Sequence, residues 1–178
     1  MMDRIILLNL EKIDKTKFLS ILKDEIELTF KGKVEENYTD KREWSLIPLI
    51  EKNKIDSYQL IYINDQFWSG SGGMIREWRD KKIYQAGFRG FSNMSSFKRG
   101  LGSQSYTHKY NTTYQVKRAK ESGCDEIILS FNLHNEKLFR VTRDYHLPKV
   151  FGKDVWQDGI EPVEFNGVLQ WLLMMSLK

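Results

Sequence analysis

The apolar positions of the chain recur with two different periods, and the period predicts the type of element. Ile5 to Leu10 form a short apolar run with β-branched residues, which favours a first strand. From Lys15 to Phe30 the apolar residues recur three or four positions apart, which predicts an amphipathic helix capped by Asp14. Asp40 and Glu43 resemble a capping box ahead of a short second helix. Pro48 lacks an amide hydrogen and fits only a first turn, so a start as late as Ser45 is the alternative.

In the middle of the chain the period changes to two, which is typical of strands. One strand is expected around Tyr58 to Ile63, a second over Phe67 to Trp78 and a third over Lys82 to Asn93. The connections between them are short, so three neighbouring antiparallel strands are predicted. The glycines and serines of Ser69 to Gly73 indicate a flexible stretch within the second of these strands.

The second half of the chain alternates strands and helices. It predicts a polar loop, a helix, a buried strand, another helix and two closing strands: Ser92 to Ser103, Gln104 to Ser122 (ending at Gly123), Glu126 to Leu133, Asn135 to Arg143 and Val163 to Leu177. A strand, helix, strand, helix order implies one parallel strand pair. The pattern as a whole predicts a single α/β (α+β) domain over residues 1–178, with a mixed, mostly antiparallel sheet of about six to seven strands and about four helices.

Composition narrows the class of protein. With 178 residues, 40% hydrophobic and 13% aromatic, the chain can build a core, which excludes disorder. A single cysteine and three scattered histidines exclude a disulfide scaffold and a structural metal site, so no metal is expected. No apolar run is long enough for a signal peptide or a membrane span, so we expect a cytoplasmic protein with no membrane partner. The net charge of +4 favours anionic partners only weakly.

The loop from Phe97 to Gln104 is the stretch with the clearest chemistry. Its glycines allow backbone amides to surround an anion, and the N-terminus of the predicted helix adds partial positive charge. Lys98 and Arg99 add attraction and Ser103 a hydroxyl, which together predict a pyrophosphate site. The loop lacks the Lys-Ser/Thr ending of a nucleotide P-loop and the third glycine of a dinucleotide fingerprint, and a plain glycine turn before a helix has the same pattern.

In this order of elements, the loop resembles that of the GNAT acetyltransferase superfamily. The superfamily motif R-G-x-G-x-G/A is matched by Arg99-Gly100-Leu101-Gly102-Ser103-Gln104 at every specified position but the last. Ala119 to Leu129 looks like the family's helix end, glycine and next strand, and Asn135 matches the asparagine that opens the following helix. The closing strand Leu172 to Leu177 is also similar, so the resemblance covers nearly the whole chain.

The resemblance implies an N-acyltransferase that moves an acetyl or other acyl group from acetyl-CoA or a related acyl-CoA to a primary amine by direct attack. It places three residues beside the pantetheine arm by their backbone: Asn93, Met94 and Ser95. It places six around the pyrophosphate: Arg99, Gly100, Leu101, Gly102, Ser103 and Gln104. Asn135 is implied near the lower arm of acetyl-CoA, which acts as co-substrate without a metal.

The residues expected to move protons depart from the family pattern. The family's proton-donating tyrosine lies seven positions after that asparagine, where this chain has Thr142. Tyr145 follows about one helical turn later and is the candidate general acid, although a core or rim tyrosine fits the same position. His146 is a second acid candidate, and a solvated histidine is its simpler interpretation.

The general base has no obvious candidate in the predicted central strand. No Asp or Glu occurs between Lys82 and Arg99, which leaves Glu77 on the preceding strand as a weak candidate. Glu77 can equally be a solvent-facing partner of a neighbouring arginine. An amine with a pKa of about 10.4 must lose a proton before it attacks, at a cost of roughly 4 to 5 kcal/mol at pH 7 without assistance.

Two other classes of function remain open on the sequence. Thr142 and the carboxylate-free strand also fit a catalytically inactive module that binds a ligand or a partner. Nucleic-acid binding through the basic helix Gln104 to Lys120 is a third and less favoured interpretation. The acceptor (a small molecule or a protein amine), the preferred acyl chain and the oligomeric state are left open by the sequence.

Overall fold

The computed structural model describes residues 2–30, 46–91, 107–158 and 161–178. The chain gathers into two compact units. The first comprises residues 1–74 and 88–103, and the second comprises residues 75–87 and 104–178. The prediction of one domain over residues 1–178 stays a prediction.

The helices and strands follow the predicted order closely. They are β1 (Ile5–Asn9), α1 (Lys15–Phe30), α2 (Leu46–Glu51), β2 (Ser57–Ile63), β3 (Gln66–Trp78), β4 (Lys81–Phe91), α3 (Thr113–Glu121), β5 (Glu126–Asn132), α4 (Glu136–Val141), α5 (Leu147–Phe151), β6 (Gln157–Asp158), β7 (Val163–Phe165) and β8 (Val168–Ser176). Two π-helical segments join this set: His108–Thr112 runs into α3, and Thr142–His146 connects α4 to α5. The predicted mixed α/β fold with a mostly antiparallel sheet is confirmed, with eight strands among the described residues.

The first unit packs two helices against an antiparallel strand trio, in which β1 pairs with β2 and β2 with β3. The predicted cap of α1 is present, since the backbone N–H of Lys17 donates to Asp14 Oδ2 at 3.0 Å. The apolar stripe of α1 and the short helix α2 bury their side chains against β2. The core of this unit contains Phe18, Leu19, Leu22, Ile26, Leu46, Ile47, Ile50, Ile55, Tyr58 and Leu60.

The glycine-rich stretch of β3 is regular strand, and the expectation of a flexible segment there is wrong. A Cβ on Gly72 would lie 2.1 Å from the carbonyl oxygen of Ser57 and 2.6 Å from Tyr58 Cδ2. A Cβ on Gly70 would lie 2.9 Å from the same tyrosine ring. The glycines are required because the buried Tyr58 ring, which packs edge-on to Phe18 at 6.2 Å, occupies the space above them.

The second unit holds the strand order β4-β5-β8-β6, with β7 also paired to β8. The predicted parallel pair is β4 with β5, and the other strand pairs of this unit are antiparallel. Successive side chains of a strand point to opposite faces. One face packs against α3, α4 and α5 through Val116, Ala119, Phe139 and Leu147, among others. The other face carries Ile83, Ile128, Phe165 and Leu172.

Two details of the second unit differ from the prediction. The helix expected to end at Arg143 continues through the second π segment and α5 to Phe151. Pro148 lies in the first turn of α5, directly after the π segment. The short strand β6 was not predicted at all. The end of α3 is as predicted, with Gly123 in the left-handed region at φ 72°.

Over the described ranges, none of the helices has the length and apolar character needed to cross a membrane.

Replacing Gly72 by alanine tests the close approach of β2 and β3. We expect Gly72→Ala to lower the free energy of unfolding by about 1 to 3 kcal/mol, because the new methyl group collides with a backbone oxygen that cannot rotate away. Chemical denaturation measures this. Gly87→Ala in β4 is the matched control, since a Cβ there meets no described atom within 4 Å. Equal stabilities of the two variants would contradict the packing described here.

Candidate active site

The parallel pair at the centre of the second unit ends early. Its register runs from Ile83 opposite Glu126 to Ala86 opposite Leu129. Beyond Leu129, β5 continues to Asn132 in pairing with β8. On the side of β4, the described residues therefore leave a stretch of β5 backbone without a paired strand. Such an edge can hydrogen-bond to an extended ligand that carries amide groups.

Within the described ranges, the space beside β4 is not filled at the residue that follows the last described pair. Gly87 follows the last paired residue, and a Cβ built on it meets no described atom within 4 Å. Because side chains alternate along a strand, Gly87 shares a face with Gln85 and Ile83. Among the described residues, no side chain fills the space beside Gly87 on this face.

The helical layer beside these strands contains two π-helical turns. The backbone N–H of Thr113 reaches the carbonyl of His108, and that of Leu147 reaches the carbonyl of Thr142, each five residues back. Such turns insert one extra residue into a helix and are frequent at functional sites. Both turns place a histidine against the other helix.

A buried polar cluster joins the two π segments. The imidazole rings of His108 and His146 stack at 5.4 Å with an interplanar angle of 26°. His108 Nδ1 lies 2.9 Å from Thr112 Oγ1. The ring stacking brings the two π segments into direct contact, among side chains that are polar and buried. Its members are Thr107, His108, Asn111, Thr112, Gln115, Thr142 and His146.

Tyr145 lies on the solvent side of this cluster. Its side chain is 42% exposed, and its ring packs edge-on to His146 at 5.1 Å. Lys149 Nζ lies 5.5 Å from the centre of the same ring. Thr142, seven positions after Asn135, is buried. Tyr145 is thus a phenol that solutes can reach and that a buried histidine supports, and its role as general acid stays a prediction.

Asn135 stands directly after β5, at the end of the 3₁₀ turn Leu133–Asn135. It occupies the N-cap position of α4, but its side chain makes no capping hydrogen bond. Its carboxamide can therefore contact a ligand, as the sequence predicts. The expectation is compatible with this geometry and is not tested by it.

Glu77 is exposed on β3. Its neighbour Arg76 points to the opposite face, as adjacent residues of a strand do. Within the described part of the chain, Glu77 forms no ion pair with Arg76 or Arg79. Its carboxylate is accessible, and its role as general base stays a prediction.

A cavity of about 460 Å³ lies at the end of α5. Its wall includes Arg143, Asp144, Lys153, Asp154 and Trp156. Arg143 Nε already donates to Asp144 Oδ1 at 2.6 Å, and this hydrogen bond lowers the pKa of the Asp144 carboxyl. Positive and negative side chains balance in this wall, so the cavity does not select a charged ligand.

The remaining predicted site residues lie outside the described part of the chain, and their roles stay predictions. They are Asn93, Met94, Ser95, Arg99, Gly100, Leu101, Gly102, Ser103 and Gln104. Conversely, the polar cluster around His108 and His146 was not predicted. The spacing of Thr107, Asn111 and Gln115, four residues apart on one helix face, is the signal that could have found it.

No family model and no curated protein matches the chain. Solved structures do match over nearly its whole length. FeeM, an N-acyl amino acid synthase from uncultured soil microbes, has a TM-score of 0.59 at 8% identity, over 99% of this chain and 92% of that one. A GNAT-family acetyltransferase from Listeria monocytogenes 4b F2365 has a TM-score of 0.55 at 16% identity, over 97% and 95%. The acetyl-CoA complex of yncA from Salmonella typhimurium, described as a putative acetyltransferase, has a TM-score of 0.51 at 9% identity, over 98% and 94%.

These likenesses identify the fold: the chain has the GNAT acyl-CoA N-acyltransferase fold. They extend along the whole chain and include the mixed sheet, as the sequence resemblance implied. At these identities they carry the fold alone.

The stacked histidines give a stability test of the site's framework. We expect His146→Ala to lower the free energy of unfolding by about 2 to 4 kcal/mol, because it leaves a cavity among buried polar groups. Tyr145→Ala should cost less than about 1 kcal/mol, because the tyrosine is largely exposed. Denaturant unfolding of both variants measures the difference, and a larger loss for Tyr145→Ala would refute the assigned burial.

Proposed function

We propose that this protein is an N-acyltransferase that moves an acetyl or other acyl group from an acyl-CoA to a primary amine by direct attack. The observation that carries the proposal is the early end of the β4–β5 pairing, with open space at Gly87, in a chain with this fold. Similar structures support it, since one is an N-acyl amino acid synthase and another holds acetyl-CoA.

The described residues suit an acyl-CoA at this gap. The pantetheine arm is an extended chain with two amides, which matches the β5 backbone beyond Leu129. The carboxamide of Asn135 stands where β5 ends and can bind the arm. In the proposal, the backbone of Asn93 to Ser95 borders the arm and the loop Arg99 to Gln104 surrounds the pyrophosphate, as the sequence predicts.

The reaction needs one bond to form and one to break. The amine nitrogen attacks the thioester carbon, the carbon–sulfur bond breaks, and the thiolate leaves. We assign to Glu77 the removal of the extra proton of the ammonium form, directly or through water, and Glu77 then passes this proton to solvent. After the attack, the nitrogen gives up a second proton to solvent as the tetrahedral intermediate collapses to the amide. The departing thiolate takes a proton from the Tyr145 hydroxyl, and solvent, which reaches the exposed ring, restores it.

Filling the gap beside Gly87 should block the acyl-CoA. We expect Gly87→Trp to weaken acetyl-CoA binding by at least about tenfold, since an indole occupies the space proposed for the arm. Isothermal titration calorimetry measures this, with CoA and desulfo-CoA as comparison ligands. Gly87→Ala is the size control, and Gly102→Glu tests the pyrophosphate loop by charge repulsion. Unchanged affinity in both Gly87→Trp and Gly102→Glu would remove the assigned binding mode.

Removing the Tyr145 hydroxyl should slow the chemical step alone. We expect Tyr145→Phe to lower kcat by about a hundredfold while leaving the KM for acetyl-CoA and the stability unchanged. Tyr62→Phe in the first unit is the matched control, because it also loses a tyrosine hydroxyl, one that donates to Glu25 at 2.9 Å. A kcat equal to that of the wild type would show that another group protonates the thiolate.

The inactive binding module is the second candidate, and the buried Thr142 favours it. The side chain at the position of the family's tyrosine lies in the interior and offers no phenol. Acetyl-CoA binding with no acylated product from a broad amine panel would support this module. Product from any panel amine would exclude it.

A further inference from the structure

Arg76 forms an unusual side-chain arrangement in the second unit. From β3, its Nε donates to Gln85 Oε1 and its Nη2 donates to Asn166 Oδ1, both at 2.7 Å. Its guanidinium carbon lies 4.6 Å from the centre of the Phe165 ring. The cation is therefore fixed by two carboxamides and an aromatic face.

The groups that hold Arg76 are themselves well anchored. Gln85 belongs to β4, and Phe165 is a buried residue of β7. Asn166 lies in the two-residue turn between β7 and β8, where it and Gly167 have φ values of 56° and 79°. Rotation of the guanidinium would break all of these contacts, so the side chain is preorganised.

The guanidinium retains donors for a ligand. Besides the two short hydrogen bonds, Nη1 makes a long contact of 3.5 Å to the carbonyl oxygen of Glu77. A guanidinium has five N–H groups, so one remains on each terminal nitrogen. Two adjacent N–H groups on one planar edge match the two oxygens of a carboxylate.

The charge of Arg76 is not balanced within the described part of the chain. None of the ion pairs found there includes it. Partial burial lowers the pKa of its guanidinium below the usual value, yet an arginine side chain stays charged. A partly desolvated cation that is held by neutral groups favours an anionic ligand.

The cation lies close to the gap between the strands. Gln85 and Gly87 are alternate residues on one face of β4, and are therefore about 6.6 Å apart along the strand. Trp78 lies on the same face of β3 as Arg76 and packs edge-on to Phe165 at 5.3 Å. The surface thus combines a fixed cation with an aromatic wall, beside the opening at Gly87.

We propose that Arg76, positioned by Gln85 and Asn166, binds the carboxylate of the acceptor. The acceptor is then a free amino acid and not an amine without a carboxylate. The inference rests on the proposed function in one respect, namely that the acyl acceptor is an amine. Binding of the carboxylate can be measured without acyl transfer, so the two can fail separately.

Matched ligand pairs test the inference. In the presence of CoA, NMR saturation transfer compares L-phenylalanine with 2-phenylethylamine and L-leucine with 3-methylbutylamine. We expect the carboxylated member of at least one pair to bind about tenfold more tightly or better. Arg76→Met should abolish this preference, and Arg76→Lys, which keeps the charge but loses the planar fork, should retain part of it.

Arg79→Met is the control, because this neighbouring arginine stacks on Trp78 at 4.3 Å without contact to Gln85. It should keep the preference for the carboxylated ligands. Three outcomes would overturn the inference. They are that no amino acid binds, that both members of each pair bind equally, or that Arg79→Met also loses the preference for carboxylated ligands. Thermal unfolding of each variant separates loss of binding from loss of fold, and Arg76→Lys serves if Arg76→Met does not fold.

Incubation with acetyl-CoA distinguishes the two proposals. Acylation of amines irrespective of a carboxylate would support the proposed function and overturn the role of Arg76. Arg76-dependent binding of amino acids without any acylated product would confirm the subsite and overturn the proposed function.

Discussion

The parallel pairing of β4 with β5 is the constraint on which the second unit depends. It is the one parallel pair among the paired strands described, and it is four residues long. A parallel connection needs a crossover of at least a dozen residues, and here α3 supplies it from one face of the sheet. The described register of this pair runs to Ala86 and Leu129, so the strands that organise the core also lead to the residues at which acyl-CoA binding is proposed.

The helices that cover one face of these strands are held by polar contacts as well as by apolar ones. A purely apolar interface tolerates small shifts of one helix against another, whereas stacked rings and buried polar side chains restrict such shifts. The two π turns make this possible, because the extra residue in each turn changes which side chains face the neighbouring helix. Tyr145 lies at the edge of the cluster, and its ring is positioned by the edge-on contact with His146.

Most elements of the fold could be predicted from local patterns. The helix at Lys15–Phe30 follows from its apolar spacing and from the cap at Asp14, and the turns at Asn64 and Gly167 follow from residues that tolerate positive φ. The glycines at 70 and 72 were misread as flexible because their reason lies in the Tyr58 ring of another strand. The predicted helix ended too early, at Arg143, because a π turn cannot be recognised from apolar spacing. Pro148 also did not indicate that a further helical segment begins there.

The site was less predictable than the fold, for a related reason. The family resemblance implied Asn135 and, together with its own glycines, the loop Arg99 to Gln104, because each belongs to a contiguous segment; their roles stay predictions. The contact between Arg76 and Asn166 joins residues far apart in sequence, and each is unremarkable where it stands. Their contact is therefore visible only in the folded structure.

The turn at Asn166 and Gly167 positions Arg76, because Asn166 accepts a hydrogen bond from its guanidinium. Hairpin tips are normally the places where insertions and deletions accumulate, because little depends on their length. Here a single inserted residue would carry the Asn166 carboxamide away from Arg76 while leaving the strands of the hairpin paired. Divergence in acceptor choice could therefore proceed through this tip alone, by changes too small to alter the fold.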